Sequence, residues 1–519
     1  MSILVPLIRG LTSTPMLASW QSVPPIHLLS QDLMQYIWEM GTWESDDDRD
    51  NILFPVQVSQ VCRSWRALAI DSPTLWKVIS LQGELRDSDY FQQQQFLVRS
   101  MNCSLTVFIN LCDMRREEDE SGRPTYDALD SSFPSLARIA RLLEPHVRRI
   151  ETFTVLADDY SVTWCFLRRF GRPDMPKLKC LDVMVGTSNG YDGLRARQIQ
   201  NPLDLLPQQS APALKSVSLS GVHPFWPSTL YTGLTSLTIC HVDMGDQPSV
   251  NELGELLSST AQSLEYLEVQ DAAPGYWHQP ATIREEDRIA LPNVRELVLG
   301  YGCPHGAALM LKLFRYPKVQ KLTIRDVEHT FVNIDAGEMS VYDASCIMRV
   351  LITAENSLPT VDTLVLKGVC ISSADIASKL LNALPVLKTL EINGCSSGFL
   401  EALATAPPVA SESSEPGPTS ALPALLCPSL RNLTIIDMVY REVMVMLRMR
   451  KAAGEKTRAP KFNYLSVLWD MSGFMVDAGF PSRLLAFSSD VYYVVVPLPE
   501  RFRPWSARWG VAPREALGY

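Results

Sequence analysis

Pro212-Ala213-Leu214-Lys215-Ser216-Val217-Ser218-Leu219 is the phrase on which the fold turns. It places apolar residues at 214, 217 and 219. The last two are separated by one residue, the spacing that puts side chains on one face of a strand. The phrase recurs along the chain at Leu178/Leu181/Val183, Leu234/Leu237/Ile239, Leu264/Leu267/Val269, Val294/Leu297/Leu299 and Val319/Leu322/Ile324. It continues at Val361/Leu364/Leu366, Leu387/Leu390/Ile392, Leu430/Leu433/Ile435 and Phe462/Leu465/Val467, ten instances in all. In eight of them a proline stands two residues earlier: Pro176, Pro212, Pro292, Pro317, Pro359, Pro385, Pro428 and Pro460. Leu105 to Leu111 and Val147 to Leu156 are looser early versions, and Val491 to Val496 has the composition of a buried strand.

Segments between the phrases have helical patterning, as in 252–259, 307–315, 345–353 and 374–383. One strand and one helix per unit resembles leucine-rich repeats, whose units run to roughly 20–29 residues. Here the intervals vary from 20 to 43, and of the asparagines expected after the strand Asn393 is the nearest match. The resemblance implies degenerate repeats with insertions. Each strand stacks on its neighbours to share a core, and right-handed crossovers curve the array. Residues between the apolar strand positions then face a binding partner. They include Lys215, Ser216, Ser218, Arg295, Glu296, Val298, Lys388, Thr389 and Glu391. Their mixed charge suits a protein surface better than a polyanion. Residues 406–420, rich in Ala, Pro, Ser, Glu and Gly, read as a disordered insertion. Residues 115–123 and 275–286 read as exposed loops, and the Arg/Trp-bearing tail from 501 as an end cap.

Upstream, the pattern is helical. Leu29, Leu33, Tyr36 and Ile37 recur at helical spacing after Pro24-Pro25. A second helical face carries Val58, Val61, Cys62, Trp65, Leu68 and Ala69; Asp71-Ser72-Pro73 ends it, and Leu75 and Trp76 follow as an apolar anchor. The acidic run 44–50 between the two alternates aspartates like a calcium loop. Asn51 and Gln57 stand where such a loop needs glycine and glutamate, which excludes it.

Pro24-Pro25-Ile26-His27-Leu28-Leu29, then Val61-Cys62-Arg63-Ser64-Trp65-Arg66, then Pro73-Thr74-Leu75-Trp76 resemble, in order and spacing, the F-box of fungal F-box proteins. Departures are Val23 for the usual leucine, His27 for the usual glutamate, and the acidic insert. The resemblance implies a small helical module docking on a Skp-type adaptor through Pro24, Pro25, Leu28, Leu29, Val61, Cys62 and Trp65. The expected layout is an N-terminal extension (1–22), an F-box (23–81), a linker or connecting helix (82–100) and a repeat domain (101–519). The expected class is α/β: a small all-helical F-box followed by an irregular leucine-rich-repeat solenoid of alternating parallel strands and helices.

Bulk chemistry fits. Net charge is −10, against a role built on phosphate neutralisation, so no nucleic-acid partner is expected. No run of 18 apolar residues predicts a membrane span. The first 20 residues lack the basic start of a secretory signal, and the C-terminus carries no prenylation cysteine. Eleven scattered cysteines without a Cys-x-x-Cys pair read as reduced thiols in a cytoplasmic or nuclear protein. The seven histidines are isolated in sequence, so no metal or cofactor is expected. No Gly-x-Ser-x-Gly, phosphate-loop or His-Glu-x-x-His motif occurs. Gly300-Tyr301-Gly302-Cys303-Pro304-His305-Gly306 misses the dinucleotide spacing by one residue and reads as a turn. The expectation is a non-catalytic substrate receptor of an SCF-type cullin–RING ubiquitin ligase, reaching the cullin through the adaptor and holding a protein target. The alternative is an adaptor-bound scaffold acting outside a ligase.

Overall fold

In the proline-led phrases the apolar residue closes a turn. Leu214 N–H bonds the Ala211 carbonyl at 3.1 Å, with Pro212 at the second turn position, where its fixed φ is already suitable. The same bond joins Leu178 to Met175, Val319 to Tyr316, Val361 to Leu358, Leu387 to Leu384 and Leu430 to Cys427. Each turn delivers the chain into a strand. The computed structural model describes residues 29–41, 48–112, 114, 134–171, 173–186, 202–203, 205–206, 208–243, 245–273, 288–327, 343–353, 358–404, 426–438, 440–457, 462, 464–468 and 491–493.

All ten phrases become strands: β4 (Cys180–Val185), β5 (Ser216–Ser220), β6 (Ser236–Cys240), β7 (Tyr266–Gln270), β9 (Glu296–Tyr301), β11 (Lys321–Asp326), β12 (Thr363–Lys367), β13 (Thr389–Asn393), β14 (Asn432–Ile436) and β15 (Tyr464–Leu468). With β1 (Val78–Gln82), β2 (Leu105–Asn110), β3 (Ile150–Ala157) and β16 (Val491–Tyr493) they make a 14-stranded, wholly parallel sheet whose strands lie in chain order. A separate parallel pair joins β8 (Ile289–Ala290) to β10 (Phe314–Arg315). The protein is therefore an α/β protein.

Register aligns like with like. Leu181, Val217, Leu237, Leu267, Leu297, Leu322, Leu364, Leu390, Leu433 and Leu465 form one row, and all are buried. A backbone ladder runs just ahead of the strands. The Lys179 carbonyl accepts from Lys215 N–H (2.9 Å) and Ser216 N–H (3.0 Å), and each of the next seven units repeats this double acceptance, ending at Lys388. Past the strands the chain turns through a left-handed residue: Gly221, His241, Asp271, Gly368, Gly394 or Asp437. Gly221 is obligatory on a second count, since a Cβ there would lie 2.3 Å from the Val185 carbonyl oxygen.

Twelve α-helices occur among the described residues. N-terminal to the sheet are α1 (Gln31–Gly41), α2 (Asp48–Val61) and α3 (Arg63–Ile70). Among the strands run α4 (Asp87–Arg99), α5 (Pro134–Leu143), α6 (Tyr160–Phe170), α7 (Val250–Thr260), α8 (Pro304–Leu313), α9 (Ser345–Ile352), α10 (Ala374–Asn382), α11 (Gly398–Ala404) and α12 (Tyr440–Thr457). The last five pack in succession along the sheet, as α5 does on α6. Among the described residues no helix is long and apolar enough to cross a membrane.

Several expectations need revision. The single helical run through 58–69 is two helices. Cys62 adopts an extended conformation (φ −156°, ψ 173°), and its Sγ accepts the Trp65 N–H, so it caps α3 and breaks the run. Asp48 to Asp50, read as acidic loop, belong to α2. The boundary drawn at 81/82 falls inside β1, whose Ile79 and Leu81 are fully buried, so the sheet begins ahead of residue 101. The segment 82–100 holds α4, with Phe96 edge-on to Trp76 at 4.9 Å. Gly300 is a strand residue rather than a turn residue, and helix α8 opens at Pro304. Residues 1–22, 406–420, 115–123, 275–286 and the Arg/Trp tail lie outside the described residues.

Candidate functional site

Two surfaces carry candidate residues. The first is on the N-terminal helices. Met34 and Trp38 point inward from α1, and Trp38 packs on Trp65 with ring centroids 5.2 Å apart. Leu29, Leu33, Tyr36 and Met40, at steps of four, three and four, form the opposite stripe and are exposed, Tyr36 to 60%. Of the expected apolar face Leu29, Leu33 and Tyr36 point outward, while Ile37 packs partly buried against the core and Met34 and Trp38 take the inner positions. Leu53, Val61 (61% exposed) and Ile70 add to the exposed apolar surface.

Of the residues expected to bind an adaptor, Leu29 and Val61 are exposed, and Cys62 and Trp65 are half-buried. Trp65 is committed to the packing against Trp38. Pro24, Pro25 and Leu28 lie outside the described residues. At Cys62 the Ser64 hydroxyl, 3.2 Å from Sγ, and then the Trp65 N–H hold the thiol below its ordinary range.

The second surface is the sheet face opposite the apolar rows. Here the register brings Thr154, Asp182, Ser218, Thr238 and Glu268, one from each of β3 to β7, into one straight row. All five are half-buried. Val298 continues the row but is buried, as are Thr323 and Val365 beyond it. Of the expected target-facing residues, Ser218 lies in the row. Lys215, Arg295 and Lys388 instead stand one residue before their strands, exposed on a rim, with their carbonyls in the backbone ladder. Glu296 is paired with Lys321 (2.6 Å) and Glu391 with Lys367 (3.6 Å). Val298 is corrected from a surface residue to a buried one; its neighbours close over it.

Sequence reading passed over Asp182, Thr238, Glu268 and Gln270. The first three occupy the single position between the last two apolar residues of their phrases, the signal that could have selected them. Among the described residues Asp182 accepts from the Thr154 hydroxyl alone, at 3.4 Å, and burial raises its carboxyl above the usual carboxylate range. Glu268 accepts from Tyr266 Oη (2.6 Å), from Thr238 Oγ1 (3.4 Å) and from the Gln270 amide. Burial and the Glu268 charge push the Tyr266 phenol upward. Gln270 is 2% exposed, and its Oε1 has no hydrogen-bond partner among the described residues.

Beside this row, burial pushes the Cys240 thiol well up. Burial, with Arg325 adding to it, holds His241 down to about 4. None of the eleven cysteines is in a disulfide. Among the described residues no group of three or more His, Cys, Asp or Glu is arranged to hold a metal ion. His223, isolated in sequence, lies 3.4 Å from Asp246 through Nδ1.

Among known proteins, no family model matches the chain and no curated protein matches it.

Proposed function

We propose that the chain is a non-catalytic substrate receptor. Helices α1 to α3 act as an F-box that docks on a Skp-type adaptor and so on a cullin–RING ubiquitin ligase. The sheet and its helices act as an irregular leucine-rich-repeat solenoid that holds a protein target. The observation that carries the reading is the exposed stripe of Leu29, just ahead of α1, and Leu33, Tyr36 and Met40 on it, together with the exposed Val61 on α2, on the segment whose sequence resembles an F-box. A module this short has little core of its own. Apolar side chains left in water are stabilised by a partner's apolar surface at about 25 cal/mol per Å² covered.

The function so read is positional. The ligase gains rate because a target held on the sheet face raises the effective concentration of its lysines near the ubiquitin-loaded enzyme. The full chain is to be co-expressed with a Skp-type adaptor. Co-purification is expected, and it is lost on Leu33→Asp or Val61→Asp. Failure of the unaltered chain to retain the adaptor overturns the reading.

A further inference from the structure

Apart from the buried Asp326 at the end of β11, the acidic residues within the strands fall into two groups. Glu151, Glu296 and Glu391 each have a lysine from an adjacent unit: Lys179 at 2.7 Å, Lys321 at 2.6 Å and Lys367 at 3.6 Å. Asp182 and Glu268 form no ion pair among the described residues, though Arg325 of β11 stands in register with Gly300 and Gln270 nearby, and both carboxylates lie on the accessible row of the sheet face. No Lys or Arg occurs within β3 to β7. A desolvated carboxylate left uncompensated is costly, and the cost is recovered when a cation arrives.

A second observation points the same way. Gln270 is almost wholly buried on this face, with its amide nitrogen against Glu268 and its Oε1 without a donor. An ammonium carries three donors. Seated on Glu268 it compensates the carboxylate against which the buried Gln270 amide already lies. Between the two carboxylates stand the hydroxyls of Ser218 and Thr238, which suit a small or polar side chain.

We infer that this row binds an extended, dibasic segment of the target protein, with Lys or Arg at positions i and i+4 and a small residue at i+2. The inference rests on the receptor reading for its biological role, and on the row itself for its geometry. Asp182 and Glu268 are three strand spacings apart, about 14 Å. In an extended chain, residues i and i+4 lie about 13 Å apart with i, i+2 and i+4 on one side. Spacings of three or five turn the second cation away from the sheet.

The test uses the full chain and fluorescent Gly/Ser peptides carrying two lysines two to six residues apart, read by anisotropy at low salt. The four-residue spacing is expected to bind roughly tenfold tighter than three or five. Asp182→Asn and Glu268→Gln should each remove most of that preference, while Glu255→Gln, an exposed acid on α7, leaves it intact. Equal affinity at every spacing, or a preference that survives the double substitution, overturns the inference. Adaptor capture is measured on the same proteins. Captured adaptor without a spacing preference removes the dibasic site alone. A spacing preference without adaptor capture removes the ligase reading and keeps the site.

Discussion

Arg450 of α12 reaches back to the turn ahead of β14, where its guanidinium donates to the carbonyl of Cys427 at 2.9 Å, and a second nitrogen donates to the Leu426 carbonyl at the same distance. Cys427 is in the left-handed region (φ 48°), and Arg450 is buried with its guanidinium 5.6 Å from the Phe462 ring. One fork thus ties helix, turn and the next unit together.

Arg450→Met takes from the buried Leu426 carbonyl its side-chain donor and leaves the Cys427 carbonyl with the Leu430 N–H alone. The expected loss is about 2–5 kcal/mol, read as a lower urea midpoint. Arg450→Lys cannot span both carbonyls and should recover only part.

Two glycines separate conformational strain from crowding. Gly233 (φ 75°) has nothing near its would-be Cβ, whereas Gly221 (φ 66°) faces the Val185 carbonyl oxygen. Gly233→Ala should cost about 1–2 kcal/mol from backbone conformation alone. Gly221→Ala should cost clearly more, because the turn must move off the neighbouring unit. Paired thermal melts of the two variants give the comparison.

On the N-terminal helices, stability and docking should separate. Leu33→Asp and Val61→Asp change exposed positions, so the melting midpoint should shift by no more than about 0.5 kcal/mol equivalent while adaptor capture disappears. Trp38 is 3% exposed and tilted against Trp65, so Trp38→Ala should cost about 3–5 kcal/mol and lose both.

Acid should loosen the sheet through His241. Its folded pKa of about 4 lies below the ordinary 6.5, so the folded state favours the neutral ring. That contribution is present in full above 6.5 and is lost as pH falls through 4, a change of order 3 kcal/mol. His241→Asn, which tolerates the left-handed backbone, should flatten the stability profile between those values.

Asp182 should behave in the opposite sense. Burial raises its folded pKa, so the charged side chain opposes folding once pH exceeds its folded value. Asp182→Asn should therefore raise the unfolding midpoint at neutral pH while weakening dibasic peptide binding. A lower midpoint would count against an uncompensated carboxylate.

Local periodicity and turn chemistry are properties of neighbouring residues, so the sequence alone determined the ten strands. Leu214-x-x-Val217-x-Leu219 can bury its apolar side in only one way, and Pro212 already holds the φ of the turn before it. The apolar rows follow, because equivalent positions seek equivalent neighbours. The break at Cys62 was not legible, since the apolar spacing runs straight through a residue whose side chain happens to cap the next helix. Nor was the outward turn of Leu33 and Tyr36, which depended on Trp38 finding Trp65. Only the tertiary structure decided which polar residues share a surface. Loops of unequal length separate Asp182, Ser218, Thr238 and Glu268 in the chain, and strand pairing ignores those lengths. Backbone hydrogen bonds set the register, and the register made one row from four distant units.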